Sequence, residues 1–169
     1  DGKVRILKRN ADDNSPLAGA VLEIYAADAN GKKTGDALEQ WTSDTTAHEV
    51  KVKLTRNKTY VLHEVSAPTG FTVAADQTFV APSKDATLEV VMDDKAIVGE
   101  VRLVKYEKGK TDTLSGAEFN LYKKDGTLVH ADNTATAGVY KYSSSVKNTR
   151  LVVNSNGVIR VSGLPYGEY

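Results

Sequence analysis

Residues 2–8 read Gly-Lys-Val-Arg-Ile-Leu-Lys, and the pattern returns at residues 99–105 as Gly-Glu-Val-Arg-Leu-Val-Lys. The same offset of 97 (105 − 8) relates residues 17–25, Leu-Ala-Gly-Ala-Val-Leu-Glu-Ile-Tyr, to residues 114–122, Leu-Ser-Gly-Ala-Glu-Phe-Asn-Leu-Tyr. A repeat at a fixed offset indicates that one structural unit occurs more than once. The sequence therefore predicts two tandem copies of a single domain type.

The boundary between the copies is predicted near residue 97, which gives domains of residues 1–97 and 98–169. The last residues of the second copy correspond to residues 54–60 of the first, so we expect the second domain to be incomplete at its C-terminal strands. Its longer middle, residues 129–152, is rich in Ser, Thr, Ala and Asn and predicts an extended hairpin or surface loop. We interpret the sequence as part of a longer repeat protein.

The composition is that of a folded chain with no excess of either charge. Lys and Arg number 22, as do Asp and Glu, so no basic surplus is available for a nucleic acid backbone. Hydrophobic residues make up 40% of the 169 residues, enough to fill a core. Because Cys is absent and only three His are present, we expect no disulfide, no metal and no cofactor. The sequence also has no apolar run that predicts a membrane span.

Hydrophobic residues recur at every second position, which is the spacing of a half-buried strand. The clearest alternating sets are Val4, Ile6 and Lys8; Tyr60, Leu62 and Glu64; and Leu88, Val90, Met92 and Asp94. Turn signals such as Asn30-Gly31 and Asn156-Gly157 separate such segments. Short strands at this spacing predict an all-β fold of two tandem β-sandwiches with Greek-key-like connections.

Each of these alternating sets ends with a charged residue on its otherwise apolar face. The residues are Lys8, Glu64 and Asp94, and Lys105 repeats the lysine in the second copy. One such charge commonly marks the point where a strand emerges into solvent. Three of them in one sandwich form a candidate site if the strands bring them together.

Four motifs follow one another along the first copy. They are Val-x-Ile-x-Lys at residues 4–8, Leu-Ala-Gly-Ala-x-x-x-Ile-Tyr at 17–25, Trp41-Thr42-Ser43 with His48, and Tyr-Val-Leu-His-Glu-Val-Ser-Ala-Pro-Thr-Gly-Phe at 60–71. Together they resemble the CnaB-type, or SpaA-like, immunoglobulin-like domains of Gram-positive cell-wall-anchored surface proteins and pilins. The last motif is similar to the family's Tyr-x-Leu-x-Glu-x-x-Ala-Pro-x-Gly-Tyr box, with Phe71 in place of the final Tyr. The resemblance extends over the whole chain.

The resemblance implies an intramolecular isopeptide bond from Lys8 in the first strand to a side chain in the last strand. It also implies that Glu64 is the catalytic carboxyl. The acceptor in the family is often Asn, whereas this sequence offers Asp94, with Asp93 beside it as the second candidate. Lys105 holds the nucleophile position of the second copy. Its partners are expected beyond the end of this chain, so we expect Lys105 to be a free amine here.

The residue types suit this reaction once they are buried. In water, a Lys and an Asp form an ion pair that does not react. Desolvation penalises both charges, so burial favours the neutral amine, which is a nucleophile, and the neutral acid, which is an electrophile. A protonated Glu64 in the same pocket can stabilise the oxyanion and pass a proton to the leaving hydroxyl. Fixed proximity adds an effective molarity of about 10⁵ M or more.

These expectations describe a structural module without enzymatic turnover, from the stalk or shaft of an extracellular, wall-anchored adhesin or pilin. The expected partners are neighbouring domains of the same chain, sortase-linked pilus subunits or host matrix proteins. The alternative is a module that binds a matrix protein or glycan through residues 129–152. A serine-histidine-acid triad is not expected, because His63 alternates to the opposite face from Glu64.

Overall fold

The structure is a computed structural model that describes residues 2–169, and these residues form strands and turns without any helix. The predicted all-β class is confirmed. No helix capable of crossing a membrane occurs in the part of the chain that the structure describes. The chain divides into two compact units, the first ending at Ala96 and the second spanning Ile97–Tyr169.

The first unit consists of two sheets. Its strands are β1 (Lys3–Asn10), β2 (Val21–Ala27), β3 (Lys33–Thr42), β4 (His48–Glu49), β5 (Thr59–Ser66), β6 (Gln77–Val80) and β7 (Thr87–Asp94). One sheet has the order β4-β1-β7 and the other the order β3-β2-β5-β6. The first and last strands, β1 and β7, are therefore hydrogen-bonded neighbours, and they run parallel.

A single hydrophobic core joins the two sheets of this unit. Alternate residues of each strand point inward, because successive side chains of a strand lie on opposite faces. The core residues include Val4, Ile6, Val90 and Met92 from one sheet and Leu22, Ile24, Tyr60, Leu62 and Phe79 from the other. The unit is thus a sandwich, and the inward positions predicted for β1, β5 and β7 are buried except Leu88, which is half-buried. Val61, on the opposite face of β5, is buried as well.

The second unit repeats part of this arrangement. Its strands are β8 (Val98–Val104), β9 (Glu118–Phe119), β10 (Ala131–Asn133), β11 (Val139–Tyr142), β12 (Leu151–Val152) and β13 (Val158–Pro165). β8 pairs with β13 in the way that β1 pairs with β4, and β9 pairs with β12 in the way that β2 pairs with β3. Within residues 97–169, no strand takes the places that β5, β6 and β7 have in the first unit.

The segment 129–152 contributes strands and core residues to the second unit. It forms the β10–β11 hairpin, and β11 lies parallel to β13 in the sheet β10-β11-β13-β8. Val129, Ala131 and Tyr140 are each at most 4% exposed and belong to the core of this unit. The predicted hairpin is therefore present, but it extends a sheet and fills a core instead of projecting from the surface.

Gly2 lies where the chain passes close to the turn before β7. A Cβ on Gly2 would collide with the carbonyl oxygen of Ser83 and would lie 2.8 Å from Pro82 Cγ, whereas the repeat-related Gly99 has nothing within 4 Å. We expect Gly2→Ala to lower the free energy of unfolding by about 1–3 kcal/mol, because backbone must move to make room. Gly99→Ala, the matched control, is expected to change it by less than about 0.5 kcal/mol. Denaturant titration followed by far-ultraviolet circular dichroism, which registers the unfolding of both units, measures both effects, and equal effects would contradict the assignment.

Candidate functional site

Lys8, Glu64 and Asp94 meet inside the first sandwich. Lys8 is opposite Met92 in the parallel β1–β7 pair, so Asp94, two residues further along β7, points inward on the same face. Glu64 enters from β5 in the facing sheet. All three residues are at most 1% exposed. The structure thus brings together the nucleophile, the carboxyl and the first-choice acceptor that the sequence analysis singled out.

The amine of Lys8 lies between the two carboxyl groups. Its Nζ donates a hydrogen bond to Asp94 Oδ1 and lies 3.3 Å from Glu64 Oε1. The distance from the amine to Glu64 is that of an ion pair, but the contact lacks hydrogen-bond geometry. Two carboxyl oxygens, Glu64 Oε1 and Asp94 Oδ2, have no hydrogen-bond partner in the described structure. Buried charges are costly when their hydrogen-bonding capacity is unfilled. If all three groups were charged, the cost of burying them would therefore be poorly offset by their hydrogen bonds and ion pairs.

Glu64 keeps its proton up to a higher pH than an ordinary glutamate does, because its pKa is raised. Burial raises its pKa above the usual 4.5, and the neighbouring Asp94 raises it further, against the backbone N–H of Ala74 and the charge of Lys8, which lower it. The raised pKa means that a proton is available on Glu64 at pH values where an exposed glutamate has lost it. Such a group can act as a general acid.

The segment between β5 and β6 contacts Glu64 through a backbone group, and no motif in the sequence predicts this contact. The backbone N–H of Ala74 donates to Glu64 Oε2 at 2.6 Å. The segment is attached to the end of β7, where the N–H of Thr72 donates to the carbonyl oxygen of Lys95 at 3.0 Å and Phe71 bridges to Ala96. A backbone donor has no side-chain signature, so no residue type in the sequence marks this contact.

Asp93, the second candidate acceptor, points away from the pocket. It is directly opposite Arg9 in the β1–β7 register, and its carboxylate accepts hydrogen bonds from Arg9 Nε at 2.8 Å and Nη2 at 3.0 Å. The guanidinium holds the pKa of Asp93 below its ordinary value. Asp93 is thus an ionised surface group on the face opposite Lys8, and of the two candidate residues Asp94 is the one that faces the Lys8 amine.

The corresponding position of the second unit has no comparable cluster. Lys105 is half-buried, and its side-chain amine pairs with no acidic group among residues 2–169. Glu168 is exposed and pairs with Lys124. Among the described residues, no group of three or more His, Asp or Glu side chains has the geometry to hold a metal ion.

Solved structures with a similar fold include the Bacillus anthracis TIE protein, with a TM-score of 0.72 and 21% identity. That match covers 98% of this chain and 27% of the TIE protein chain, so the present chain spans about a quarter of that relative. The shaft pilin SpaA of Lactobacillus rhamnosus GG matches with a TM-score of 0.46, 17% identity and coverage of 96% of this chain and 82% of the pilin. A streptococcal ancillary pilin matches with a TM-score of 0.49, 18% identity and coverage of 98% and 51%.

No match was found to a curated protein sequence. The family described as SpaA, prealbumin-like fold domain, matches the chain twice, at residues 2–96 and 99–169. The two matches together take in nearly all of the sequence, and each falls on one repeat. The chain therefore belongs to the family of SpaA prealbumin-like fold domains.

Proposed function

We propose that the chain is a structural module from the stalk of a Gram-positive surface protein or the shaft of a pilus. We further propose that the first unit closes itself with an amide bond between Lys8 and Asp94. The observation that carries the proposal is the complete burial of the Lys8 amine between the Glu64 and Asp94 carboxyl groups. Membership of a family of prealbumin-like domains supports the structural role.

The reaction proceeds from the buried contact without any added reagent. A proton moves from the Lys8 ammonium to Asp94, which leaves a neutral amine beside a neutral acid. Nζ then attacks Cγ of Asp94, and the protonated Glu64 stabilises the oxyanion by hydrogen bonding. Glu64 relays the amine proton to the departing hydroxyl, so that one C–N bond forms, one C–O bond breaks and one water leaves. Glu64 ends the reaction protonated, as it began.

The position of the bond determines how the first unit carries tension. A pull on the two ends of the unit enters through β1 and leaves after β7, and these strands are parallel neighbours. With Lys8 joined to Asp94, the force crosses from one strand to the other through a covalent bond. The 85 residues from 9 to 93 then lie outside the loaded path (93 − 8), so their hydrogen bonds are not sheared. This property suits a stalk.

The cellular location and the partners of the module follow from the same proposal. We place the module outside the cell, on the wall-anchored surface of a Gram-positive bacterium. Its partners are neighbouring domains of the same chain, and sortase-linked pilus subunits or host matrix proteins are the external partners to test. The chemistry is a single self-processing event without turnover, so the module is not an enzyme in the usual sense.

The intact mass of the denatured chain tests the bond. We expect the mass to be lower than that of the sequence by one water, and proteolysis to yield one branched peptide containing Lys8 and Asp94. Asp94→Ala is expected to restore the full mass, whereas Asp93→Ala, the matched control on the adjacent position, keeps the deficit. A full mass in the unmodified chain, or loss of the deficit in Asp93→Ala, would contradict the assignment.

Ligand binding through residues 129–152 stays a prediction. Val129, Ala131 and Tyr140 of this segment are buried, which accounts for part of the insertion by packing alone. Saturable binding to a matrix-protein or glycan array, lost when the exposed tip at residues 134–137 is replaced, would support this second function.

A further inference from the structure

Two buried oxygens of the site, Glu64 Oε1 and Asp94 Oδ2, both lack a hydrogen-bond donor among the described residues. An ionised carboxyl group only accepts hydrogen bonds, and a buried acceptor that has no donor is costly. A single proton on one of the two oxygens would make them a donor and an acceptor. Protonated Glu64 is within hydrogen-bonding reach of Asp94, and this contact contributes to its raised pKa. The position of one proton therefore decides whether both oxygens are satisfied.

The backbone N–H of Ala74 distinguishes the two oxygens of the Glu64 carboxyl group. It donates to Oε2 at 2.6 Å, whereas Oε1 lies on the side of the reacting groups, 3.3 Å from Lys8 Nζ. In a protonated carboxyl group, the oxygen without the hydrogen is the carbonyl oxygen and the better acceptor. The N–H thus favours Oε2 as the carbonyl oxygen and Oε1 as the oxygen that carries the proton.

The segment that carries this N–H, residues 67–76 between β5 and β6, is attached to the acceptor strand. The backbone N–H and the hydroxyl group of Thr72 both donate to the carbonyl oxygen of Lys95, at 3.0 and 3.2 Å. Lys95 directly follows Asp94 along the chain. The orientation of the acid is therefore fixed relative to the acceptor and not only relative to β5.

The other groups that face Glu64 come from three strands. Lys8 on β1 and Asp94 on β7 are the titratable groups that act on it among the described residues. Its neighbour on β2 is Leu22, which is apolar and fully buried. The Ala74 N–H lowers the pKa of Glu64, because it stabilises the carboxylate. Loss of this N–H alone therefore has a defined sign, since it raises the pKa.

We propose that the backbone N–H of Ala74 positions the acid of the closure reaction by placing the Glu64 proton on Oε1, directed at Asp94 Oδ2. This role rests on the proposed Lys8–Asp94 bond. When Nζ attacks Cγ, Oδ2 becomes the oxyanion and meets the Oε1 hydrogen. Oδ1 already accepts a hydrogen bond from Nζ, so it takes the first amine proton and departs as water. Ala74 touches no reacting atom and is a positioning residue.

The test exchanges this one N–H for an ester oxygen. The full chain is made by chemical synthesis with L-lactic acid in place of Ala74, which keeps the methyl side chain. The same exchange at Ala75, an exposed neighbour, is the matched control. Each chain is diluted from denaturant, and the loss of one water is followed by intact mass. We expect the Ala74 ester to close about 10-fold more slowly than the Ala75 ester, a part of the about 10²–10⁴-fold that a general acid contributes.

The pH dependence of closure separates positioning from looser packing. The closure rate of the Ala74 ester is expected to decline at a higher pH than that of the unmodified chain, because a donor that lowers the pKa of Glu64 is lost. Looser packing admits water and moves this decline toward the ordinary value of 4.5. Ala74→Gly keeps the N–H and removes only the methyl group, so it is expected to close at about the unmodified rate.

The outcomes distinguish this role from the bond itself. Closure that is equally fast in the two esters, a decline that stays in place or moves to lower pH, or an Ala74→Gly chain as slow as the Ala74 ester would overturn the role of the N–H. The Lys8–Asp94 bond would stand in each case. A chain that folds and never loses water would contradict the bond and this role with it. Far-ultraviolet circular dichroism of each chain verifies that it is folded.

Discussion

Glu64→Gln is expected to slow closure of the Lys8–Asp94 bond by about 10²–10⁴-fold while the first unit still folds. The glutamine side chain has nearly the same size and can still accept the Ala74 N–H, which donates to Glu64 Oε2 at 2.6 Å. It has no acidic proton, so it cannot relay a proton to the leaving hydroxyl. The variant therefore removes the acid and keeps the packing.

The rate can be followed by intact mass from a defined starting time. Chain that is made by chemical synthesis and has never folded is held in denaturant and diluted into buffer, and the mass of quenched samples is measured for the loss of one water. Glu49→Gln is the control, because Glu49 is a half-exposed surface carboxylate that pairs with Lys3 and Arg5. Closure of Glu64→Gln at the rate of the control would remove Glu64 from the mechanism.

The pH dependence of the closure rate tests the role of Glu64 as proton donor in a second way. The pKa of Glu64 is raised by burial, so its acid form persists above the ordinary value of 4.5. We expect the closure rate to decline as the pH rises through this raised pKa, because the proton donor is lost there. The residual rate of Glu64→Gln is expected to lack this decline.

The position of the site along each strand was predictable from the sequence. A strand places alternate residues on one face, so a lysine two positions after Ile6 and a glutamate two positions after Leu62 face the same core. The same alternation separates Asp94 from Asp93 once the strand is assigned. The family resemblance added the chemical roles, which periodicity alone does not give.

Contacts between distant parts of the chain were not predictable in the same way. The parallel pairing of β1 with β7 depends on how the two sheets close, and it determines that Lys8 reaches Asp94 diagonally past Met92. The Ala74 N–H is a backbone group that any residue except proline could supply. Asp76 and Lys33 meet His63 only because β3, β5 and the turn before β6 converge on one face.

Segment 129–152 illustrates a further limit. Its Ser, Thr and Asn content is typical of surface loops, which supported the expectation of a loop or hairpin. Four of its apolar residues are nevertheless buried, namely Val129, Ala131, Tyr140 and Leu151. Composition averages over a segment, whereas burial depends on single positions opposite a sheet, so the core contribution was not visible in the sequence.

Lys8→Met is expected to cause the largest loss of stability of any single substitution considered. It leaves Glu64 and Asp94 buried without a counter-ion, a situation that costs about 3–5 kcal/mol. It also removes the covalent link between residues 86 apart in sequence. By analogy with a disulfide closing a loop of that size, the link contributes about 4 kcal/mol through the unfolded state. Against a typical total stability of about 5–15 kcal/mol, the variant is expected to be marginally folded at neutral pH.

The triple variant Lys8→Met, Glu64→Leu, Asp94→Leu separates the two contributions. It has no buried charge and no bond, so it is expected to recover about 3–5 kcal/mol relative to Lys8→Met. It is still expected to fall about 4 kcal/mol short of the unmodified chain. Denaturant midpoints of the three proteins measure both differences. If the triple variant matched the unmodified chain, the bond would contribute nothing to stability; if it matched Lys8→Met, the buried charges would not be the cause of the loss.

The pH dependence of Lys8→Met provides an internal check on the charge contribution. Burial raises the pKa of Glu64 in the folded state, and the variant also lacks the Lys8 charge that lowers this pKa. A carboxyl whose pKa is higher in the folded than in the unfolded chain binds its proton more tightly when folded. The stability of Lys8→Met is therefore fully present below the unfolded pKa of about 4.3 and declines as the pH rises through the folded pKa. The triple variant has neither carboxyl, so the gap between the two proteins is expected to close in acid and to open toward neutral pH.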